Sequence, residues 1–301
     1  MTKLNVWIKA FRLRTLPLAL SSAILGSFLA YAQGTFKLPI LILATLTTLF
    51  LQILSNLAND YGDALKGTDS EQRIGPQRVT TSGLVTKREM RIMIGIFIAF
   101  SLASGSLLIF TGLNSIGWKT ILFFFILGLS AIYAAVKYTI GKNPYGYIGL
   151  GDVFVFIYFG IVGVAGTYFL HTESFDPWIL LPASAIGLLS SGVLNLNNMR
   201  DIENDTRSGK RTLVVFIGSK AAKYYHLALI TLSMAFSVIY TIVKFDSAFQ
   251  LLFILTCPLF AINVIVVMKN TNPVELNPEL KKLAFSTFVF SLTFGIGLIL
   301  K

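Results

Sequence analysis

Apolar runs of roughly 17 to 25 residues recur along this chain, at about 16–32, 38–57, 92–112, 119–137, 153–170, 178–198, 224–243, 248–268 and 283–300. That is the length a helix needs to cross hydrocarbon, where no water satisfies the backbone and only helices or closed barrels can span. The pattern predicts an all-α polytopic membrane protein with about nine transmembrane helices. A count of eight or ten stays open, because Gly141, Pro144 and Gly146 interrupt the 130–150 region. No soluble domain is expected, since the longest polar segment, about 58–91, is short. A charged fraction of 13%, against about 25% in soluble chains, and a mean hydropathy of +0.73 agree.

Orientation follows from the basic residues, which concentrate in cytoplasmic loops. With nine spans, 21 of the 25 Lys and Arg residues fall on the side of the N-terminus, and Lys37, Lys119, Lys244 and Lys301 on the other. Eleven of the 14 carboxylates share the basic side, which is therefore expected to face the cytoplasm. The start of the chain has the look of a secretory signal, with Lys3, Lys9, Arg12 and Arg14 before an apolar run and an Ala30-Tyr31-Ala32 triplet. Removing it would invert the charge asymmetry. Residues 3–14 read better as an interfacial helix with Leu4, Trp7, Ile8 and Phe11 on one face, beside the plainer reading of a frayed basic terminus.

The net charge of +11 is accounted for by these loops, and no zinc finger, RNP motif or basic repeat points to nucleic acid. Cys257 is the only cysteine, which excludes an internal disulfide. His171 and His226 make no metal site between them and read as loop or helix-end residues. No G-x-x-x-x-G-K-[ST] is present, so nucleotide hydrolysis finds no support.

The chemistry lies in two polar segments of one pattern, N-x-x-N-x-x-x-D-x-x-x-G. Asn56, Asn59, Asp63 and Gly67 are followed, at a constant offset of 142 positions, by Asn198, Asp201, Asp205 and Gly209. Each segment ends a membrane-spanning run, where carboxylates are costly and functional by default. If the helix continues to about residue 63, Asn56, Asn59, Asp60 and Asp63 share a face through three- and four-residue spacings, and Gly67 can end it. Asn198, Asp201 and Asp205 make the equivalent face. Oxygen ligands at this spacing suit Mg²⁺, which takes one or two carboxylates and completes its shell with water and phosphate. Two such segments facing each other would clamp a diphosphate. Arg73, Arg78, Lys137, Lys210 and Arg211 stand near to neutralise the remaining charge. The plain alternative is a pair of solvated helix ends, and the repetition argues against it.

A third stretch, Tyr138-Thr-Ile-Gly141-Lys142-Asn143-Pro144-Tyr145-Gly146-Tyr147-Ile-Gly149-Leu-Gly151-Asp152, cannot continue a regular helix. It is either an interfacial turn with an aromatic belt or part of the site. Asp152 opens the next helix, where a carboxylate also complements the helix dipole.

At these residues the chain resembles the UbiA superfamily of intramembrane aromatic prenyltransferases over nearly its whole length. The strings N-D-Y-G-D-A-L-K-G-T-D, Y-T-I-G-K-N-P-Y-G-Y-I-G-L-G-D and N-N-M-R-D-I-E-N-D-T-R-S-G-K-R-T-L are similar to those of 1,4-dihydroxy-2-naphthoate prenyltransferases of menaquinone biosynthesis. R-T-L-P-L-A and R-I-G-P-Q-R fit as well. The repeat suggests two pseudo-repeated halves within one transmembrane domain over 1–301, and the resemblance implies nine helices around a central cavity, a Mg²⁺-bound polyprenyl diphosphate, and residence in the bacterial inner membrane. It implies Asn59, Asp63, Asp201 and Asp205 at the metal positions, with Asp60 beside them and Asn56, Asp69 and Asn198 in support. Lys137 matches a diphosphate-contacting lysine of benzoate-type relatives, which follow it with Arg where this chain has Tyr138.

Ionisation of an allylic diphosphate leaves negative charge on the leaving group, which cations stabilise, and an allylic cation that must be kept from water. Tyr61, Tyr145 and Tyr147 offer π faces to that cation. The resemblance implies alkylation of the ring carbon that bears the carboxylate, followed by loss of CO₂. Asp69 or Asp152 could then deprotonate a ring hydroxyl. The alternatives are another aromatic acceptor, such as 4-hydroxybenzoate or homogentisate, and a secondary transporter. A transporter's polar breaks belong at the bilayer midplane, whereas these segments fall at helix ends.

Overall fold

The computed structural model describes residues 2–67, 74–75, 78–113 and 115–300, and among them there is no strand. The helices are α1 (Lys3–Phe11), α2 (Leu16–Ala32), α3 (Leu38–Lys66), α4 (Lys87–Gly112), α5 (Trp118–Lys137), α6 (Gly151–Thr172), α7 (Leu180–Arg200), α8 (Ile202–Arg207), α9 (Leu213–Val243), α10 (Ala248–Lys269) and α11 (Leu276–Ile299). Among the described residues nine spans are long and apolar enough to cross a membrane, with α1 and α2 forming one continuous stretch. The break at 138–150 is a turn carrying a short 3₁₀ segment at Tyr145–Tyr147.

The main departure from the apolar runs lies at helix ends. α3 has 29 residues, about 44 Å at 1.5 Å per residue, so its last turns rise above a hydrocarbon layer of about 30 Å. These turns carry the first polar segment. Gly67 closes α3 in the left-handed region (φ 64), and Gly209 takes the same conformation (φ 71) after the second segment. Both glycines of the repeat thus stop a helix where an L side chain would be strained.

Packing forms two main lobes, bridged by a smaller buried cluster of α2, α3, α4 and α6 around Ala23, Ile40, Leu108 and Leu170. One buried apolar cluster joins α2, α6, α7, α9, α10 and α11 around Leu25, Ile186, Leu189, Phe253 and Phe290. A second joins α1, α3 and α4 around Leu54, Leu57, Met90 and Phe97. Trp7 and Phe11 of α1 pack on the second cluster, while Leu4 and Ile8 are exposed. The expected apolar face of α1 is therefore shared between protein and surroundings. The middle of α6, Phe156–Gly166, is π-helical, a geometry often found at functional sites. It forms one wall between the lobes.

Candidate active site

Between the lobes lies a cavity of about 330 Å³, lined by α2, α3, α4, α5, α6 and α7. Leu18, Leu51, Ile109, Phe124, Phe159 and Val162 supply apolar wall. Its polar end is built from the C-terminal turns of α3 and α7 and the segments that follow them, with Asn59, Asp63, Arg78, Asn197 and Lys210. Both repeats contribute to one cavity.

Asp63 is buried and ion-paired with the Arg78 guanidinium. Its Oδ1 accepts a 2.9 Å hydrogen bond from the Tyr147 hydroxyl. The Tyr147 ring lies 3.8 Å beneath the Lys66 ammonium and 5.5 Å from that of Lys210. Lys210 stands 3.5 Å from Asp205 Oδ1. Burial pushes the Asp205 carboxyl up to about 6 against the pull of Lys210, and the charges of Asp201 and Asp63 add to the rise. Burial draws the Lys210 ammonium down, but Asp205 and Asp63 outweigh it and hold its pKa above the ordinary value. The carboxylates of the two segments are thus close enough to repel.

Asp201 sits at the end of α7, gripped by Arg200 through Nε–Oδ1 at 2.8 Å and Nη2–Oδ2 at 2.5 Å. Arg200 is 2% exposed and also donates to Asn197 and Asn277. Neighbouring helix positions do not share a face, so periodicity alone gave no sign of this pair. It forms because Asp201 leaves helical geometry (φ −96, ψ 9).

Two buried oxygens of the second segment, Asp205 Oδ2 and Asn198 Oδ1, have no hydrogen-bond partner. Like Asn59, Asp63 and Asp201, they offer oxygen donors, the type a hard divalent cation prefers. Among the described residues no group of three or more His, Cys, Asp or Glu side chains forms a ready metal cage. Mg²⁺ takes one or two carboxylates and keeps water and substrate phosphate in its shell, and the oxygen donor types of the two segments fit the ion.

The remaining expected residues divide. Asn56 lines the cavity, and its amide donates to Phe11 O at 3.0 Å and Thr15 Oγ1 at 3.1 Å. Asn59 accepts from Thr139 at 3.2 Å. A Cβ at Gly62 would meet Thr139 Oγ1 at 2.6 Å, so glycine there lets the 138–150 turn lie on α3. Tyr145 lines the cavity and stacks on Phe154, centroids 3.9 Å apart. Burial pushes the Tyr138 and Tyr145 phenols up, leaving both neutral.

Other expected residues lie away from the cavity lining. Asp60, grouped with the metal residues, does not line the cavity; its oxygens accept the backbone N–H groups of Val79 at 3.0 Å and Thr80 at 3.1 Å. It anchors the loop that delivers Arg78. Asp152 also lies off the cavity wall, buried against α7 and α9 with Tyr225 donating at 3.4 Å. Lys137 and Arg211 do not line the cavity either, nor do Asn198, Asp201 and Asp205 of the second segment; Arg211 is exposed, with its backbone N–H bonded to Tyr147 O at 3.2 Å. Tyr61 and Tyr147 are not on the lining, whose tyrosines are Tyr138, Tyr145 and Tyr158. Asp69 and Arg73 fall outside the described residues.

An apolar chamber inside a helical bundle, closed at one end by paired carboxylates and cations, defines an intramembrane enzyme for amphiphilic, anionic substrates. The chain matches the model of the UbiA prenyltransferase family over residues 19–294, and it belongs to that family. It is 42% identical to the 1,4-dihydroxy-2-naphthoate octaprenyltransferase of Haemophilus influenzae, covering 99% of this chain and 97% of the relative. Identity to the Escherichia coli enzyme of the same name is 39%, covering 99% and 96%. Among solved structures, a UbiA homolog from Aeropyrum pernix superposes with a TM-score of 0.68 at 18% identity, covering 96% of this chain and 98% of that one. A homolog from Archaeoglobus fulgidus bound to DMAPP and Mg²⁺ gives 0.63 at 17%, covering 95% and 98%. At such identities the likeness concerns the fold.

Proposed function

We propose that this chain transfers a polyprenyl group from its diphosphate to 1,4-dihydroxy-2-naphthoate, releasing diphosphate and CO₂ and forming a demethylmenaquinol. The observation that carries this reading is a single apolar cavity whose polar end gathers Asp63 and Arg78 from one segment and Lys210 from the other. Near full-length similarity to enzymes named for that acceptor supports the choice. Asn59, Asp63, Asp201 and Asp205, with Asn198 in support, would hold a Mg²⁺ ion, which would supply Lewis-acid neutralisation of the diphosphate; the oxygen donor types support this assignment.

Arg78 and Lys210 hold the diphosphate oxygens where negative charge grows as the allylic C–O bond breaks and its electron pair leaves with the phosphate. The apolar walls keep water from the allylic cation, and Tyr138, Tyr145 and Tyr158 present ring faces to it. The ring carbon bearing the carboxylate forms the new C–C bond. The C–CO₂ bond then breaks and its electron pair restores the aromatic ring, so no base is needed at a ring C–H. The basic loops support a polar end facing the cytoplasm in a bacterial inner membrane. The constant offset and the matched glycines support two pseudo-repeated halves in one domain.

Carboxyl-labelled naphthoate tests the reaction. Label is expected in CO₂ in step with lipid product. Label retained in the lipid, or faster use of 4-hydroxybenzoate, would refute the acceptor assignment.

A further inference from the structure

The proposed donor carries a long chain, and the cavity has little room for it. Its volume of about 330 Å³ lies at the lower end of the range for drug-sized ligands, about 300–1,000 Å³. A polyprenyl tail does not fit there beside an aromatic ring, so most of the tail lies outside. Being apolar along its length, it leaves most readily where the wall opens to hydrocarbon.

Much of the wall is closed by glycines that mark close helix crossings. A Cβ at Gly26 would stand 2.5 Å from Val164 O, one at Gly160 2.6 Å from Ala183 O, and one at Gly295 2.2 Å from the Phe28 ring. These contacts seal α2 on α6, α6 on α7 and α2 on α11. Gly105 of α4 and Gly128 of α5 depart from that pattern, although both line the cavity. A Cβ at Gly128 would meet nothing within 4 Å, and one at Gly105 would meet Thr47 Cγ2 at 3.7 Å. Glycine inside a helix costs about 1 kcal/mol against alanine, and no close approach explains it at these two positions.

Behind them is a second apolar space of about 40 Å³, between α3, α4 and α5. Thr47, Leu51, Gly105, Ile109 and Gly128 line both this space and the cavity. One layer of residues separates the two, and at the glycines that layer has no side chain. Gly166 of α6 is open as well, but it does not line the second space. The outer rim is Phe125 and Leu129 of α5, both exposed on the surface of the bundle, as is Gly128 itself. Of the 20 residues of α5 only Ala134 is buried. Gly128 lies nine residues before Lys137, the last residue of α5, a rise of about 14 Å that places it within the hydrocarbon layer.

We infer that the prenyl tail passes from the cavity into the bilayer between α4 and α5, across Gly105 and Gly128, and that these two positions decide how long a chain is accepted. The inference rests on the proposed reaction for the identity of the chain. Continuity with the cavity through the shared residues is what commits the second space to that chain.

The test fills the opening. In Gly128→Leu the new Cβ meets no neighbour and the side chain occupies the shared wall. Gly95→Leu is the control, at an exposed α4 position that is equally open and lines neither space. With the naphthoate as acceptor, Gly128→Leu should keep kcat/KM for geranyl diphosphate within about threefold of wild type and lose about tenfold or more for octaprenyl diphosphate. Gly95→Leu should leave both within about twofold. An equal loss for both donors overturns the inference, and so does no loss for either, which would mean that lipid alone fills the space. A prenyl diphosphate with a photoreactive group at the far end of its tail reads the path in wild type without turnover. Label is expected on α4 and α5 at 101–106 and 125–132, and label on α2 and α11 instead overturns the inference. Wild type that is labelled on α4 and α5 but prenylates nothing from either donor overturns the proposed reaction and leaves the path standing.

Discussion

The Tyr147 hydroxyl donates a 2.9 Å hydrogen bond to Asp63, and this contact ties the glycine-rich turn at 138–150 to the first polar segment. The same residue reaches the second segment, because its carbonyl accepts from Arg211 N at 3.2 Å and its ring lies near the Lys210 ammonium. One tyrosine thus touches both polar segments. Replacing it by phenylalanine keeps the ring and removes a hydrogen bond to a charged acceptor, worth about 1.5–3 kcal/mol. Tyr147→Phe should lower kcat/KM about tenfold or more with the fold intact, and Tyr147→Ala should lower it further. Steady-state kinetics on detergent-purified variants of equal melting temperature would decide this, and wild-type kinetics in Tyr147→Phe would refute it.

The buried Asp63 and Arg78 pair separates folding from activity. Arg78→Ala leaves a buried carboxylate without its ion-pair partner, a change that costs about 3–5 kcal/mol. The double variant Asp63→Ala with Arg78→Ala should recover much of that stability in a thermal unfolding assay, while prenyl transfer stays near background. Asp205→Ala alone should insert normally and lose most of its rate.

Metal affinity should depend on pH through Asp205. Its carboxyl is raised in the folded, metal-free protein to about 6 from 3.8, so this group's contribution to stability is greatest below pH 3.8 and is lost as pH rises through about 6. A divalent cation must displace the proton at acid pH. Calorimetric titration with Mg²⁺ or Mn²⁺ should show affinity rising from pH 5 to about 6.5 and levelling above, with proton uptake by buffer at the acid end. Asp205→Asn should flatten that profile. Turnover should stop in excess EDTA and return with Mg²⁺.

Asp60 should behave as a loop anchor. Asp60→Ala leaves the Val79 and Thr80 N–H groups without their acceptor, at about 1–3 kcal/mol each, and should lower the melting temperature and kcat together. Asp60→Asn keeps one acceptor oxygen, and its Mg²⁺ affinity should stay within about threefold of wild type. A larger loss of metal affinity in a stable Asp60→Asn protein would return Asp60 to the metal site.

Membrane orientation can be read with single cysteines in a Cys257→Ala background. Thr81→Cys and Arg207→Cys, beside the two segments, should react with an impermeant maleimide only from the cytoplasmic side. Ser174→Cys, in the loop between α6 and α7, should react only from the opposite side. The reverse pattern would invert the topology.

The sequence by itself indicated about nine spans, which the described residues bear out, and the paired polar segments. Apolar run length, loop charge and a constant offset are local properties that need no knowledge of packing. Gly67 and Gly209 belong with these, since each stops its own helix. Only the tertiary structure decided which polar atoms meet. Asp60 and Asp63 are one turn apart on the same helix, yet one anchors a loop and the other faces the cavity. Arg78 reaches Asp63 across 15 positions of sequence, and Arg200 clamps Asp201 because the helix breaks there. Asp152 opens a helix as its spacing suggested, but the packing of α6 on α7 and α9 takes it away from the cavity wall. Such choices depend on where helices remote in sequence cross, and helix periodicity carries no information about a crossing.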